Sequence, residues 1–238
     1  MSDPLLSVCQ VFAGYTGRDV LRDLSLDVHK GAFVSVIGPN GHGKSTLLKC
    51  ISGLLRTGSG SIRFSGDDVT GLAAPAMAAL GLVHVPQGDM LFADMTVQEN
   101  LMMGAYLTSD RAVVRRRLDE VHAILPRLAD RRQQLARTLS GGERRMLAIG
   151  RGLMAGGRLT MFDEPSLGLA PVIIDQIYDV MTRLRESGRT IVLVEENAMR
   201  AARQSDRMYL LDNGSMAWQG NGEEFLARPE VIRSYLGG

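Results

Sequence analysis

The chain has 238 residues and a net charge of +1 from 27 Lys+Arg against 26 Asp+Glu, a length that fits one large domain with a full core. Its 45% hydrophobic and 22% charged residues exclude a disordered or fibrous polymer. Two cysteines cannot build a disulfide framework, the N-terminal MSDPLLSVCQ lacks the basic region of a secretory signal, and the longest weakly polar run, 71–83, is interrupted by Pro75 and too short to span a bilayer, so a reduced cytosolic setting is expected.

In chain order, Leu24, Leu26 and Val28 alternate with polar residues at the period of a half-buried strand. The nearly unbroken apolar run Ala32–Ile37 reads as a strand covered on both faces, as in a parallel sheet. A glycine-rich turn follows, then STLLKCISGLL, a helix expected to close near Gly53. Short strands are predicted at Ser61–Phe64, Leu82–Pro86, Leu159–Phe162, Thr190–Val194 and Met208–Leu211. Ile173, Ile177, Val180, Met181 and Leu184 mark the apolar face of a helix, and Asn213-Gly214 predicts a tight hairpin. Strands alternating with helices imply an α/β sheet with right-handed crossovers. From about 88 to 155 no strand is convincing, and Val97–Leu107 and Asp110–Leu125 both read as helices; this stretch is expected to be a helical subdomain inserted into a single 1–238 domain. Ten arginines between Arg111 and Arg145 face four acids there, a local net of +6. Such a zone is a solvated helix face or a surface for anionic headgroups or an acidic partner; with no interleaved aromatics it does not suggest nucleic acid.

Three motifs carry chemistry. GPNGHGKST, Gly38–Thr46, satisfies G-x-x-x-x-G-K-[ST] between a buried strand and a helix. The backbone N–H groups of Gly38, Pro39–Asn40–Gly41–His42 and Gly43 wrap an anion, apart from the proline's missing donor, at the positive end of a helix. Lys44 would reach the β- and γ-phosphates, Ser45 would ligate Mg²⁺, and Thr46 would touch the α-phosphate. In MFDEP an apolar strand delivers Asp163 and Glu164 to its carboxyl end, the former for Mg²⁺ and the latter to polarise an attacking water. LSGGE, Leu139–Glu143, puts Ser140, Gly141 and Gly142 at a second helix N-terminus, a second anion site without a lysine.

Strand–Gly38–Thr46–helix, then LSGGE, then MFDEP, in this order, resembles the ATP-binding subunits of ABC transporters over essentially the whole chain. The resemblance implies an α/β P-loop ATPase core with an N-terminal antiparallel β element and an inserted helical subdomain. It implies ATP and Mg²⁺ as ligands, with Tyr15 stacking on adenine, although a core tyrosine at a strand end would look the same in sequence. Gln87 of HVPQG matches the glutamine that senses Mg²⁺ and the attacking water, and Ser166, Leu167 and Gly168 match a loop that crosses between paired subunits. It implies a head-to-tail pair with a second ATP-binding subunit, two transmembrane permease subunits and, indirectly, an extracytoplasmic binding protein, with the chain peripheral on the cytoplasmic face of the cell membrane. One position departs: VLVEENAM places Glu196 where the family usually has a histidine contacting the γ-phosphate. With LFADMTVQENL, DEPSLGLAP and the terminal SYLGG, this is similar to the branched-chain amino acid and amide uptake group. A lipopolysaccharide or lipid exporter, or an ABC ATPase outside transport, stands as the alternative. His42, where the group often has alanine, is expected to face solvent.

Overall fold

The structure, a computed structural model, describes residues 3–230 and 232; the SYLGG motif lies outside them. β1 (Leu6–Tyr15) and β2 (Arg18–Val28) form an antiparallel ribbon extended by β4 (Ser59–Phe64) and β5 (Asp67–Asp68), giving the order β2-β1-β4-β5. The second sheet is β10-β9-β3-β8-β7-β6, from β3 (Phe33–Ile37), β6 (Leu82–Val85), β7 (Leu159–Asp163), β8 (Thr190–Glu195), β9 (Arg207–Asp212) and β10 (Ser215–Gly220). All its pairings are parallel except β9–β10, which the predicted hairpin joins: Asn213 (φ 47°) and Gly214 (φ 82°) are both left-handed, so the turn follows the twist of its strands.

Strand periodicity divides the interior. Val34 and Val36 of β3 point with Met161, Val192 and Val194 toward the antiparallel sheet and toward Leu47, Leu48 and Ile51 of α1 (Lys44–Ile51). Phe33, Phe162, Ile191 and Leu193 point the other way, into a cluster that also takes Ile177, Met181 and Leu184 of α7 (Pro171–Glu186). Each of these fully buried side chains contributes about 1.5–3 kcal/mol relative to exposure. α1 ends at Ser52, and Gly53 (φ 71°) turns the chain out, as its sequence predicts.

Between β6 and β7 lie α3 (Val97–Gly104), α4 (Arg111–Ile124), α5 (Pro126–Asp130) and α6 (Gly141–Met154), with an isolated Thr96–Leu135 bridge and a short 3₁₀ turn as the other regular features among the described residues. Asp110 caps α4 and Thr96 caps α3 with a reciprocal Glu99 box. Leu101, Val121, Leu125, Leu128, Leu147 and Ile149 belong to the same apolar cluster as α7, so this helical segment shares a core with the sheet. The arginine zone is only partly a solvated face. Arg117 donates to the carbonyls of Met154 and Ala155 at the C-terminal end of α6, and Arg131, Arg137 and Arg144 pair with Glu143, Asp94 and Asp89.

α2 (Ala74–Ala79), α8 (Ala198–Ala202) and α9 (Gly222–Leu226) complete the described elements, α8 and α9 packing on Ile37, Met208 and Leu210. Among the described residues no helix is long and apolar enough to cross a membrane.

Candidate active site

The loop from β3 to α1 owes its path to glycines at two places where a side chain would collide. A Cβ on Gly38 would stand 2.4 Å from the Leu211 carbonyl oxygen; Gly43, at φ 105°, would meet the Leu21 side chain at 2.8 Å. The loop is fastened from outside by the β9–β10 turn: Gly214 N–H donates to the His42 carbonyl at 3.1 Å and Asn213 N–H to His42 Nδ1 at 3.0 Å, with Asp212 Oδ1 also 3.0 Å from that nitrogen. His42 is therefore half-buried on the hairpin, a correction to the solvent-facing reading; its anchor lies 171 residues away in sequence.

Lys44, 3% exposed, has all three donors engaged: the Gly38 carbonyl at 2.7 Å, the Pro39 carbonyl at 3.1 Å and Glu164 Oε1 at 3.1 Å. Glu164 accepts from Gln87 Nε2 at 3.2 Å on its other oxygen. Its own backbone is left-handed at φ 46°, a sparsely populated state for a non-glycine residue, and its N–H reaches the Val194 carbonyl at 2.9 Å. Ser45 Oγ donates to Asp163 Oδ1 at 2.9 Å, so the end of β7 is stitched to the first turn of α1. Burial holds the Asp163 carboxyl above the usual carboxylate range and Glu164 beside it adds to this, opposed by the Ser45 bond and the lysines Lys49 and Lys44. A cation at this carboxylate would act against that upward shift.

Asn40, Gly41, Gly43, Lys44, Ser45, Thr46, Gln87, Glu164 and Leu167 line one cleft of about 330 Å³. A hydroxyl (Ser45), a carboxylate (Asp163) and an amide (Gln87) fit the hard oxygen set that Mg²⁺ would take when phosphates complete its shell. Among the described residues no group of three or more His, Cys, Asp or Glu is placed to hold a metal alone. Tyr15 is 44% exposed at the end of β1 with Lys49 Nζ over its ring, 5.9 Å from the centre, so it is not a core residue.

The structure does not bring Ser140, Gly141 and Gly142 into that cleft. Ser140 and Gly142 border a separate cavity with residues of α5 and α7. Ser140 caps α6: its N–H and hydroxyl donate to Glu143 Oε2 at 2.9 and 2.8 Å and its oxygen accepts the Glu143 N–H at 3.3 Å. These bonds hold the Glu143 carboxyl below its ordinary range, and Arg131 Nε sits 2.9 Å away on the other oxygen. Gly142 is buried so closely on Ile173 that a Cβ would meet three of its carbons at 2.9–3.0 Å. Arg144 and Arg145, the fourth and fifth residues of this helix, hold the segment just after Gln87: Arg144 Nε lies 3.1 Å from Asp89 Oδ2, and Arg145 donates to the Gly88 carbonyl at 3.0 Å.

Glu196 is exposed and borders a third cavity of about 390 Å³ that also holds Glu164, Ser166 and Leu167. The neighbour that sequence reasoning missed is Glu195, buried at the end of β8, whose two oxygens take the N–H and hydroxyl of Ser166 at 3.2 and 2.9 Å. Burial pushes its pKa up, the Ser166 bonds opposing. A carboxylate closing an otherwise apolar strand was the available signal.

A family model described as "ABC transporter" matches residues 21–167. The chain is 44% identical to the high-affinity branched-chain amino acid transport ATP-binding protein BraG of Pseudomonas aeruginosa over 98% of this chain and 100% of that protein. It is 38% identical to the probable branched-chain amino acid transport ATP-binding protein LivF of Archaeoglobus fulgidus over 98% and 99%. The solved ADP conformation of MJ1267, an ATP-binding cassette of an ABC transporter, superposes with a TM-score of 0.87 at 27% identity, covering 100% of both chains.

Proposed function

We propose, given that this chain belongs to the ABC transporter family as one of its ATP-binding, ATP-hydrolysing subunits, that it energises import of branched-chain amino acids or related amides. It would do so as half of a head-to-tail pair of such subunits docked on two permease subunits at the cytoplasmic face of a membrane, with a binding protein supplying substrate from the other side. The observation that carries the hydrolytic reading is the convergence of Lys44, Gln87 and Glu164 in one cleft beneath the glycine loop. The reading of cargo is supported by the near-complete mutual coverage with the Pseudomonas protein.

In this reading the β- and γ-phosphates enter between the loop N–H groups and take Lys44 away from Glu164. The freed carboxylate, oriented by Gln87, then accepts the proton of the water that attacks the γ-phosphorus, while Tyr15 stacks on the adenine. Ser45, Asp163 and Gln87 would hold Mg²⁺, whose chemistry is to neutralise charge between the β- and γ-phosphates. Ser140, Gly141 and Gly142 would close over the nucleotide of the partner, so that ATP joins the pair and hydrolysis parts it.

The test is to purify the chain from detergent-solubilised native membranes and identify what accompanies it. Two polytopic proteins and a second, unlike ATPase support the importer. Lipid-export components would replace it with the exporter reading, and recovery solely in the soluble fraction would remove transport.

Glu196 gives a narrower expectation. The structure leaves Glu196 outside the phosphate cleft, in the neighbouring cavity that Glu164 also borders. If on nucleotide binding it takes the place of the family's histidine, its charge repels the γ-phosphate, this chain's own site should be slow, and Glu196→His should raise turnover of the assembled pair by about tenfold. Unchanged turnover would end that idea.

A further inference from the structure

We infer that Glu195 is a positioning residue: through Ser166 it holds the turn that carries Glu164 in register with the phosphate loop. The inference rests on the proposed role of Glu164 as the base.

The parallel ladder between β7 and β8 ends at Asp163 opposite Val194. One further backbone bond, from Glu164 N–H to the Val194 carbonyl, catches the chain as it enters the left-handed region. Beyond that the turn leaves the sheet: Leu167 N–H closes back on the Glu164 carbonyl at 3.2 Å, and Ser166 N–H bonds to a side chain of β8 rather than to its backbone. That side chain is Glu195. Its Oε1 accepts the Ser166 N–H and its Oε2 the Ser166 hydroxyl. The turn is thus held to β8 at both ends, by a carbonyl under Glu164 and a carboxylate under Ser166.

The arrangement is expensive. Glu195 is 2% exposed, and no ion pair joins it among the described residues. A buried carboxylate without a cation is costly unless hydrogen bonds fix it, and here those bonds go to this one turn. The turn in turn delivers two residues to the phosphate cleft, Glu164 and Leu167. Glu164 sits in a backbone conformation that persists only while its surroundings over-determine it, so loosening Ser166 releases the carboxylate from its line with Gln87 and Lys44. Misplacing a reacting group by about 1 Å costs on the order of 10²-fold in rate. The effect therefore falls on chemistry and spares nucleotide binding, whose proposed contacts lie on the loop, on α1 and at Tyr15, away from this turn.

The experiment compares the whole chain, in its purified complex, with Glu195→Met, Glu195→Gln, Ser166→Ala and Glu164→Gln, measuring kcat, KM, the Kd for labelled ATP and the melting temperature. Glu195→Met, close in volume but without acceptors, should lower kcat by about tenfold or more with Kd and KM within about twofold. Glu195→Gln should restore most of it, since its amide accepts from Ser166 N–H and donates to the hydroxyl, which can reverse its role. Ser166→Ala should lie between, and adding it to Glu195→Met should cost little more. Unchanged kcat in Glu195→Met, loss of ATP binding in step with kcat, or failure of Gln to rescue would each overturn the inference. If the Met variant does not fold, Ser166→Ala decides alone: a fall in kcat at constant Kd supports the clamp and an unchanged kcat refutes it. Turnover retained in Glu164→Gln would defeat the reading of the base; turnover lost there but normal in Glu195→Met would defeat the clamp only.

Discussion

Glu164→Gln should bind ATP as tightly as the parent chain and fail to hydrolyse it, with turnover down by roughly 10³-fold, within the range a positioned base contributes. The side chain is 6% exposed, so an amide of the same size keeps the packing. An amide cannot take a proton from water. Nothing on the phosphate side depends on the lost charge, because Lys44 retains the Gly38 and Pro39 carbonyls until phosphate arrives. The ATP-bound pair should therefore accumulate, visible as a nucleotide-dependent shift in size on gel filtration. Steady-state hydrolysis within threefold of the parent would sink the assignment.

Lys44→Ala should instead weaken binding itself. Hydrogen bonds to a charged group contribute about 1.5–3 kcal/mol each, and loss of two phosphate contacts predicts a Kd raised by about 10²-fold or more in titration with labelled ATP. A second penalty follows from the ground state. The Lys44–Glu164 pair has side chains 3% and 6% exposed, so removing the lysine strands a buried carboxylate. The single variant should melt lower than the parent, and adding Glu164→Gln should recover part of that loss without recovering affinity. A double variant no more stable than Lys44→Ala would show that the pair is not coupled as the geometry indicates.

Lys44, Asp163 and Glu164 were legible because each sits in a strong local pattern, a buried strand, glycine turn and helix around Lys44 and an apolar strand before Asp163, whereas Gln87, 77 residues from Glu164, was reached only through the resemblance. Glu195 was hidden because its significance is a bond to Ser166, 29 residues earlier, and its doublet partner Glu196 drew the attention. His42 was misjudged for the same reason, its anchor being on the β9–β10 turn. In the fold, β1 was legible through the resemblance and not through alternation, which bulges break, with Gln10 at φ 48° and register shifts after Val8 and Val11. The helix expected over Val97–Leu107 stops at Gly104, and Tyr106 and Leu107 beyond it are 81% and 66% exposed. α5, α8 and α9 have five residues each, under two turns, too short for a 3.6-residue period to register.

The grip of Arg144 and Arg145 on Gly88 and Asp89 has a consequence for timing. In the proposed pair, Gln87 attends this chain's own nucleotide and Ser140 attends the partner's, yet the two are separated by a single helical turn and a latch of charged bonds. Any displacement of Gln87 on loss of the γ-phosphate is geared directly to the jaw that grips the other molecule of ATP. Two engines mounted on one crankshaft cannot idle independently: firing one cylinder turns the other.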